Sequence, residues 1–322
     1  MSQIFEFFTS ERIRIDEFLR KALPQKIPEE FKNQISNSKI RRLILAGAIE
    51  VNGRQIFRPS FELRGSSKIK LTFEKDKFFY EKQPDDIKFQ VSQKDILYED
   101  ENLIFVNKPA FFPVEQTIVG NRDNLHDSLV DYLWKKNPDL KNPPYVGIMH
   151  RLDRGTSGAI LFTKNRLINK AVSQMFSQHR FTKKYLALAE KKSNYKVGDA
   201  FTVEFFMGRI SSKSQSGKWG KLSKEEGGDF SKTDFKIIKE CRVENKDCFL
   251  IECNLYTGRT HQIRLHLSTK GLPILGDELY GGQCAQRIYL HSQELSCQCE
   301  DLNLHFKVIA PCDFAEKFVI FE

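Results

Sequence analysis

The sequence predicts an α+β protein of two domains. Its 322 residues exceed the usual size of one domain. Residues 1–80 hold 16 Lys and Arg against 10 Asp and Glu, whereas the remaining 242 residues hold 35 against 32. Stretches with helical spacing of apolar residues are interspersed with short apolar segments that are typical of buried strands. We therefore expect a small basic domain ahead of a larger, nearly neutral one.

The composition indicates a globular protein that stays in the cytoplasm. Hydrophobic residues make up 40% of the chain and charged residues 29%. No apolar run reaches the length of about 18 residues that a membrane span needs, and the N-terminus lacks the pattern of a secretory signal. The seven cysteines contain no CxxC pair, which favours reduced thiols over a zinc site. The net charge of +9 favours a polyanionic partner.

Residues 11–72 show the pattern of a compact first unit. Apolar residues from Ile13 to Leu23 recur at helical spacing, and Pro24 should end this helix. A second helix is predicted over 38–46. Its polar side holds three cations that could contact phosphates or form an ordinary solvated face: Lys39, Arg41 and Arg42.

Further along, polar stretches separate strand-like segments. Asn52-Gly53 predicts a hairpin turn, and a strand is expected over 66–71. The polar residues 81–95 are expected to be a linker, and a second domain should start at Ile96. The Gly-, Ser- and Lys-rich residues 208–232 predict a loop or hairpin tip.

The stretch 150–158, His-Arg-Leu-Asp-Arg-Gly-Thr-Ser-Gly, is the centre of the second domain. Short apolar segments flank it on both sides, so it should be a tight polar loop between two buried strands. Asp153 would then be held on a rigid turn beside two arginines. An ordinary surface turn with an Asp–Arg ion pair is the simpler alternative.

Three further segments carry distinctive motifs, one before this loop in the sequence and two after it. An apolar strand runs into Asn107-Lys108-Pro109, and a second strand begins at Lys183-Lys184-Tyr185. The third segment, 257–267, contains Arg-Thr-His-Gln-Ile-Arg, and it is followed by Gly276-Asp277-x-x-Tyr280-Gly281.

Together these motifs resemble the pseudouridine synthases of the RluA-like family, in which a loop of the same wording carries the catalytic aspartate. The resemblance implies a domain built on a mixed, mostly antiparallel sheet. It also implies isomerisation of uridine to pseudouridine without cofactor or metal, and a monomer whose partner is RNA, most often large-subunit rRNA of the 23S type. The catalytic residues it implies are Asp153, Tyr185 and Arg264. The substrate-binding residues it implies are Arg151, Lys108, Arg259, His261, Gln262 and Ile263.

The first unit resembles the S4 RNA-binding domain, through Arg14-x-Asp16-x-Phe18-Leu19 and through Gly47-x-Ile49-x-Val51-Asn52-Gly53. The organisation implied is an S4-like α/β module over 1–80, a linker over 81–95 and a catalytic domain over 96–322. In this arrangement Lys39, Arg41 and Arg42 bind RNA. Asn37 stands where the family often has Arg.

Several other functions compete with this interpretation. His-Arg-x-Asp also occurs in protein kinases, but the Gly-rich phosphate loop and the correctly spaced Asn are missing. His261 and His266 lack a third ligand at a suitable spacing, which disfavours a metal site. A tRNA pseudouridine synthase, a non-catalytic RNA-binding or ribosome-assembly factor, and an N-glycosidase stay open, and activity of an Asp153→Asn variant would separate them.

Overall fold

A computed structural model describes residues 2–32, 35–74, 87–115, 122–191, 195–211, 217–299 and 304–316. Residues up to Glu74 belong to one compact unit, and nearly all described residues from Ile87 onward belong to a second. The first part of the expected linker, 81–86, lies outside the described residues. Its remainder, 87–95, is part of the second unit, where Val91 is buried in the core.

The first unit combines short helices with a small antiparallel sheet. Its helices are α1 Ile15–Ala22, α2 Glu29–Lys32 and α3 Asn37–Leu45. Its strands are β1 Ser2–Thr9, β2 Ile13–Arg14, β3 Ile49–Val51, β4 Arg54–Ile56, β5 Glu62–Leu63 and β6 Ser67–Glu74. Four of them form a sheet in the order β1-β6-β3-β4, and β2 pairs with β5.

Local signals explain most of these elements. Ser36 caps α3, because its side chain accepts a hydrogen bond from the Lys39 amide. Gly47 follows this helix with a φ of +73°, a conformation that favours glycine. Helix α1 begins at Ile15, so the prediction for Ile13 is wrong: this residue lies in β2 and pairs with Leu63. Strand β1 is absent from the prediction.

The second unit is built on one extended sheet. Its strands are β7 Ile96–Glu99, β8 Leu103–Lys108, β9 Gly147–Ile148, β10 Ser157–Thr163, β11 Phe181–Glu190, β12 Ala200–Arg209, β13 Trp219–Lys221, β14 Asp229–Val243, β15 Lys246–Leu255, β16 Leu290–Cys299 and β17 Leu304–Ile309. Its helices are α4 Leu125–Lys136, α5 Asn169–Ser177, α6 Gln262–Thr269 and α7 Asp313–Glu316.

Among the described residues the sheet has eleven strands in the order β13-β12-β14-β15-β11-β16-β10-β8-β7, with β17 beside β16 and β9 beside β10. The pair β10–β16 is parallel and every other pair is antiparallel. The expectation of a mixed, mostly antiparallel sheet is therefore confirmed. The α+β class is also consistent with this arrangement.

The parallel pair lies at the centre and places the loop that precedes β10. Ser157 and Gly158 are opposite His291 and Ser292. Gly158 has a φ of +108°, and a Cβ there would lie 2.2 Å from the backbone oxygen of Ser292. Only glycine permits this close approach of the two chains. The end of the 150–158 loop is thus anchored on the middle of the sheet.

No helix among the described residues has the length and apolar character needed to cross a membrane.

Candidate active site

Asp153 lies on the tight turn that connects β9 to β10. Its backbone oxygen accepts a hydrogen bond from the Thr156 amide at 3.0 Å. Its side chain is 26% exposed, whereas the flanking Leu152 is buried. The rigid polar turn between two strands that the sequence predicts is therefore present, and it holds the carboxylate at the edge of a small cavity.

Arg264 comes from α6 and faces Asp153. Its Nη1 lies 3.3 Å from Asp153 Oδ2, although 111 residues separate the two in sequence. The other side of the guanidinium is held by Asp277, through Nε at 2.7 Å and Nη2 at 2.8 Å. Burial alone would lower the pKa of Arg264, but hydrogen bonding and the charge of Asp277, with the charge of Asp153, raise it above the ordinary value. A permanent positive charge therefore lies beside the Asp153 carboxylate.

Tyr185 projects from β11 into the same cavity. Its side chain is buried, with 9% exposure. Burial raises the pKa of Tyr185 to about 12, although a hydrogen bond with Ser292 acts in the opposite direction. The hydroxyl is therefore protonated at neutral pH, where it is a hydrogen-bond donor and not a ready base.

His261 has its Nε2 3.7 Å from Asp153 Oδ2. Its backbone is left-handed, with a φ of +60°, immediately before α6. The Tyr280 hydroxyl oxygen accepts from the Trp219 amide at 2.9 Å and lies 3.0 Å from His261 Nδ1. The Asp153 carboxylate near Nε2 can only accept hydrogen bonds, which favours the neutral tautomer with its proton on Nε2. In that tautomer the Tyr280 hydroxyl donates to Nδ1.

Burial lowers the pKa of His261, partly offset by the charge of Asp153. The ring is thus kept neutral near pH 7.

The cavity has a volume of about 70 Å³. Its walls combine polar groups with apolar side chains of low exposure, which limit the access of water to Asp153. The lining residues are Arg151, Leu152, Asp153, Thr156, Tyr185, Leu255, Gly258, Arg259, His261, Gln262, Ile263, Arg264 and Leu290. The structure thus brings together the three residues expected to be catalytic and five of the six expected to bind substrate.

The two exposed arginines lie at the cavity mouth. Arg151 forms an ion pair with Glu115 at 2.5 Å. Arg259 donates from Nε to the Phe230 carbonyl at 3.2 Å and approaches Asp229 at 3.7 Å. Both guanidinium groups are on the solvent side, where a phosphate could replace these surface partners.

Gln262 lines the cavity, but its polar atoms are already used. Its Oε1 accepts hydrogen bonds from the Thr257 hydroxyl and from the Arg259 backbone amide. Its Nε2 donates to the backbone carbonyl of Lys232 and to the Thr233 hydroxyl. The side chain is 2% exposed. Direct substrate binding by the Gln262 amide is therefore not supported. The residue holds the 257–259 segment in place.

The expectation that Lys108 binds substrate is wrong. Its side chain is fully buried and absent from the cavity lining. The ammonium donates to the carbonyls of Phe112, Pro109 and Arg154 at 2.7, 2.8 and 3.1 Å. Burial lowers the pKa of Lys108 well below its usual value, and nearby Asp153 acts in the opposite direction. Lys108 stabilises the loop that carries Asp153 from beneath.

Three residues of this site were missed in the sequence interpretation. Asp277 and Tyr280 stand in the quoted Gly-Asp-x-x-Tyr-Gly segment, but their role depends on contacts with Arg264 and His261 that spacing does not reveal. Trp219 lies inside residues 208–232, where a loop or hairpin tip was expected. It belongs to the short strand β13, and its ring packs against His261 with centroids 4.9 Å apart.

The two histidines considered as metal ligands lie in different environments. His261 faces the cavity, whereas His266 is fully buried and lies 2.9 Å from Ser231 Oγ. No cluster of three or more potential metal ligands occurs in the part of the chain that the structure describes.

Chemically, the site presents one carboxylate in contact with a guanidinium, with a tyrosine ring and apolar walls around it. A carboxylate in such a pocket can attack an electrophilic carbon or stabilise a developing positive charge. A planar base could stack on the tyrosine ring.

Comparison with known proteins identifies this arrangement. A sequence model described as RNA pseudouridylate synthase matches residues 102–269, a little more than half of the chain. The chain belongs to the RNA pseudouridylate synthase family. It is accordingly an RNA pseudouridine synthase, an isomerase. The matched segment contains Asp153, Tyr185 and Arg264, whereas Asp277 lies just beyond it.

Individual relatives agree with this assignment. The pseudouridine synthase is 30% identical over 328 residues to ribosomal large subunit pseudouridine synthase C of Rickettsia felis, covering 95% of this chain and 96% of that protein. It is 30% identical over 269 residues to ribosomal large subunit pseudouridine synthase D of Vibrio parahaemolyticus, covering 83% and 75%. The human RNA pseudouridylate synthase domain containing 1 structure shares its fold, with a TM-score of 0.54, 22% identity and coverage of 69% and 86%.

Proposed function

We propose that this pseudouridine synthase modifies uridines of large-subunit rRNA, and that its first unit is an S4-like RNA-binding module. The observation that carries the proposal is the similarity to a ribosomal large subunit pseudouridine synthase over 95% of the chain, because this alignment includes the basic first unit as well as the catalytic unit. A tRNA substrate is the alternative.

In the proposed reaction, the N1–C1′ glycosidic bond of uridine breaks and a C5–C1′ bond forms. The hydrogen on C5 is lost and N1 ends protonated, so that product and substrate are isomers. Asp153 attacks or stabilises the sugar or the base while the bond is broken. Its support is the 3.3 Å contact with Arg264, which places a guanidinium beside this carboxylate in a cavity with apolar walls.

Tyr185 is proposed to stack on the target base. Its buried ring, its place in the cavity lining and its protonated hydroxyl support this role. Arg151 and Arg259 are proposed to hold the phosphates on either side of the target, since both are exposed at the cavity mouth. The uridine must leave its stack to enter a site of this depth.

The first unit is proposed to bind RNA through the polar side of α3. Arg41 is exposed and lines a cleft of about 220 Å³ with Arg14, Asp16, Glu17, Arg20 and Asn37. Arg20, from α1, adds charge to the set Lys39, Arg41 and Arg42 that the sequence indicated, whereas Arg14 is paired with Asp16 at 2.8 Å. The excess of basic residues in this part of the chain supports a contact with phosphates.

Mapping pseudouridine across total RNA tests the proposal. We expect a strain that lacks the protein to lose specific modifications in large-subunit rRNA. Wild-type protein should restore them, and an Asp153→Asn variant should not. Loss confined to tRNA would establish the alternative substrate. Release of free uracil by the purified protein would indicate a glycosidase, and restoration by Asp153→Asn would contradict the role of this carboxylate.

A further inference from the structure

Asp277 is a buried carboxylate next to the site, and the proposed chemistry does not yet use it. Its side chain is 1% exposed. Its two oxygens receive Nε and Nη2 of Arg264 at 2.7 and 2.8 Å, which is a bidentate pair along one edge of the guanidinium. Such pairing fixes both the position and the plane of the group.

This bidentate contact determines which nitrogen of Arg264 is left to contact Asp153. Only Nη1 of Arg264 reaches Asp153, and it does so at the longer distance of 3.3 Å. A guanidinium with a single carboxylate partner would be free to rotate and form a bidentate pair with it. Because Asp277 occupies two of the three nitrogens, Asp153 is restricted to one contact.

The turn that carries Asp277 is held rigidly. The Asp277 amide donates to Ile274 at 3.0 Å, and its carbonyl accepts from Tyr280 and Gly282. Gly276 has a φ of +84°, and a Cβ there would lie 1.8 Å from the Arg287 carbonyl oxygen. The turn therefore has little freedom to move the carboxylate, and Tyr280 from the same turn packs its ring 5.2 Å from the Arg264 guanidinium.

We propose that Asp277 is a positioning residue for the isomerisation. By holding two nitrogens of Arg264, it limits Asp153 to a single contact with the guanidinium and so leaves this carboxylate free to reach the sugar or the base. The inference rests on the proposed roles of Asp153 and Arg264. It assigns to Asp277 no contact with RNA.

The test measures single-turnover pseudouridine formation and RNA affinity with the full-length protein, using an RNA that the wild type modifies. Asp277→Asn keeps the shape but offers only one acceptor to Arg264. We expect its rate at saturating RNA to fall on the order of 100-fold, because small displacements of catalytic groups have effects of this size. The RNA dissociation constant should change by less than about twofold, since phosphate contacts dominate binding.

Two further variants separate positioning from charge and from folding. Asp277→Glu keeps the charge but displaces the guanidinium, so its rate should lie between those of the wild type and Asp277→Asn. Adding Asp277→Asn to Arg264→Met should not lower the single-turnover rate any further, because Asp277 acts through Arg264. Asp95→Asn is the matched control. This carboxylate caps a short turn near Ser92, outside the cavity lining, and its loss should leave the rate unchanged.

The outcomes distinguish this inference from the proposed function. A wild-type rate in Asp277→Glu would show that geometry is not what Asp277 supplies, even if Asp277→Asn failed to fold. A multiplicative loss in the double variant, or a weakened RNA affinity with an unchanged rate, would also overturn the inference. An Asp153→Asn variant that keeps full activity would instead overturn the roles on which it rests.

Discussion

The ammonium of Lys108 lies beneath the catalytic loop and donates to the carbonyl oxygen of Arg154 at 3.1 Å, one residue beyond Asp153. Two more carbonyls, those of Pro109 and Phe112, share the same ammonium. One buried cation thus joins the end of β8 to the loop between β9 and β10. The position of Asp153 depends on a residue that makes no contact with the cavity.

Replacing Lys108 with Met should therefore destabilise the second unit. Three carbonyls, one of them fully buried, would lose their donor, and we expect a decrease of roughly 3–5 kcal/mol in the free energy of unfolding. Urea unfolding followed by tryptophan fluorescence measures this, because Trp134 and Trp219 both lie in the second unit. The exposed Lys135 is the control, and Lys135→Met should change stability by less than about 0.5 kcal/mol. Equal effects of the two substitutions would contradict the anchoring role.

The burial of Lys108 could not be predicted from the sequence. The motif placed Lys108 near Asp153, and both are indeed close in space. Residue type alone favoured a phosphate contact, because lysine is seldom fully buried. The burial of Lys108 depends on the pairing of β8 with β10, two strands that are far apart in the sequence. The same limit hid strand β1, whose partner β6 begins about sixty residues later in the chain.

Short-range signals were more informative. The helix expected over 38–46, which is α3, and the turn at 52–53 follow from local chemistry and were predicted. The cluster of Asp153, Tyr185 and Arg264 could also be expected, because three separate motifs share one family resemblance. Asp277 and Tyr280 could not be assigned roles, since their importance comes from contacts with Arg264 and His261 across a turn.

Removal of the Tyr280 hydroxyl should alter His261 without disturbing the ring packing. Tyr280→Phe deletes the hydroxyl that lies 3.0 Å from Nδ1, so the tautomer of His261 with its proton on Nε2 loses the hydrogen bond that supports it. We expect the single-turnover rate to fall roughly 3- to 10-fold, the effect of one hydrogen bond. Tyr132→Phe is the matched control, because that hydroxyl bonds Gln93 outside the cavity lining. If both variants keep the wild-type rate, the tautomer of His261 does not matter to the reaction.

Tyr185→Phe should keep RNA affinity and slow the chemistry. The ring, which would stack on the base, is retained, whereas a protonated donor is removed from the cavity. We expect roughly a tenfold lower rate, with the dissociation constant unchanged. Because the pKa of Tyr185 is raised to about 12, its ionisation should produce no change in the wild-type rate between pH 7 and 10. A pH-dependent rise in that range that disappears in Tyr185→Phe would show that the phenolate acts as a base.

The second unit should lose stability in mild acid. His266 and His291 are 0% and 1% exposed, and burial lowers the pKa of each to about 4. Between pH 4 and the ordinary value of 6.5, the unfolded chain therefore binds more protons than the folded one. Stability is fully present above pH 6.5 and falls as the pH decreases. At pH 5 each histidine should account for a loss of about 2 kcal/mol.

Urea unfolding at pH 7.5 and pH 5 measures this difference. His291 donates to the Ala310 carbonyl and faces Ser157 Oγ at 2.8 Å, so a neutral glutamine can replace part of its bonding. His291→Gln should reduce the difference between the two pH values by about 2 kcal/mol, whatever its effect at pH 7.5. A difference as large as that of the wild type would show that other groups cause the acid sensitivity.

The basic first unit should determine how salt affects RNA binding. Changing Lys39, Arg41 and Arg42 together to Glu removes three cations that could neutralise phosphates. The slope of log affinity against log salt should flatten by roughly 0.7 for each phosphate that is no longer neutralised, and the apparent Michaelis constant should rise. The single-turnover rate at saturating RNA should change little, because Asp153 belongs to the other unit. Filter binding and single-turnover assays from about 50 to 200 mM salt measure both quantities.

The control is a triple variant with the same change of net charge, in which the exposed second-unit residues Lys135, Lys141 and Lys270 become Glu. If the α3 cations contact phosphates, the control should keep the wild-type slope while the α3 variant does not. Equal slopes in the two variants would mean that only net charge matters and that α3 is not a binding surface. A lower rate at saturating RNA in the α3 variant would instead show that the first unit helps to place the target uridine against Asp153.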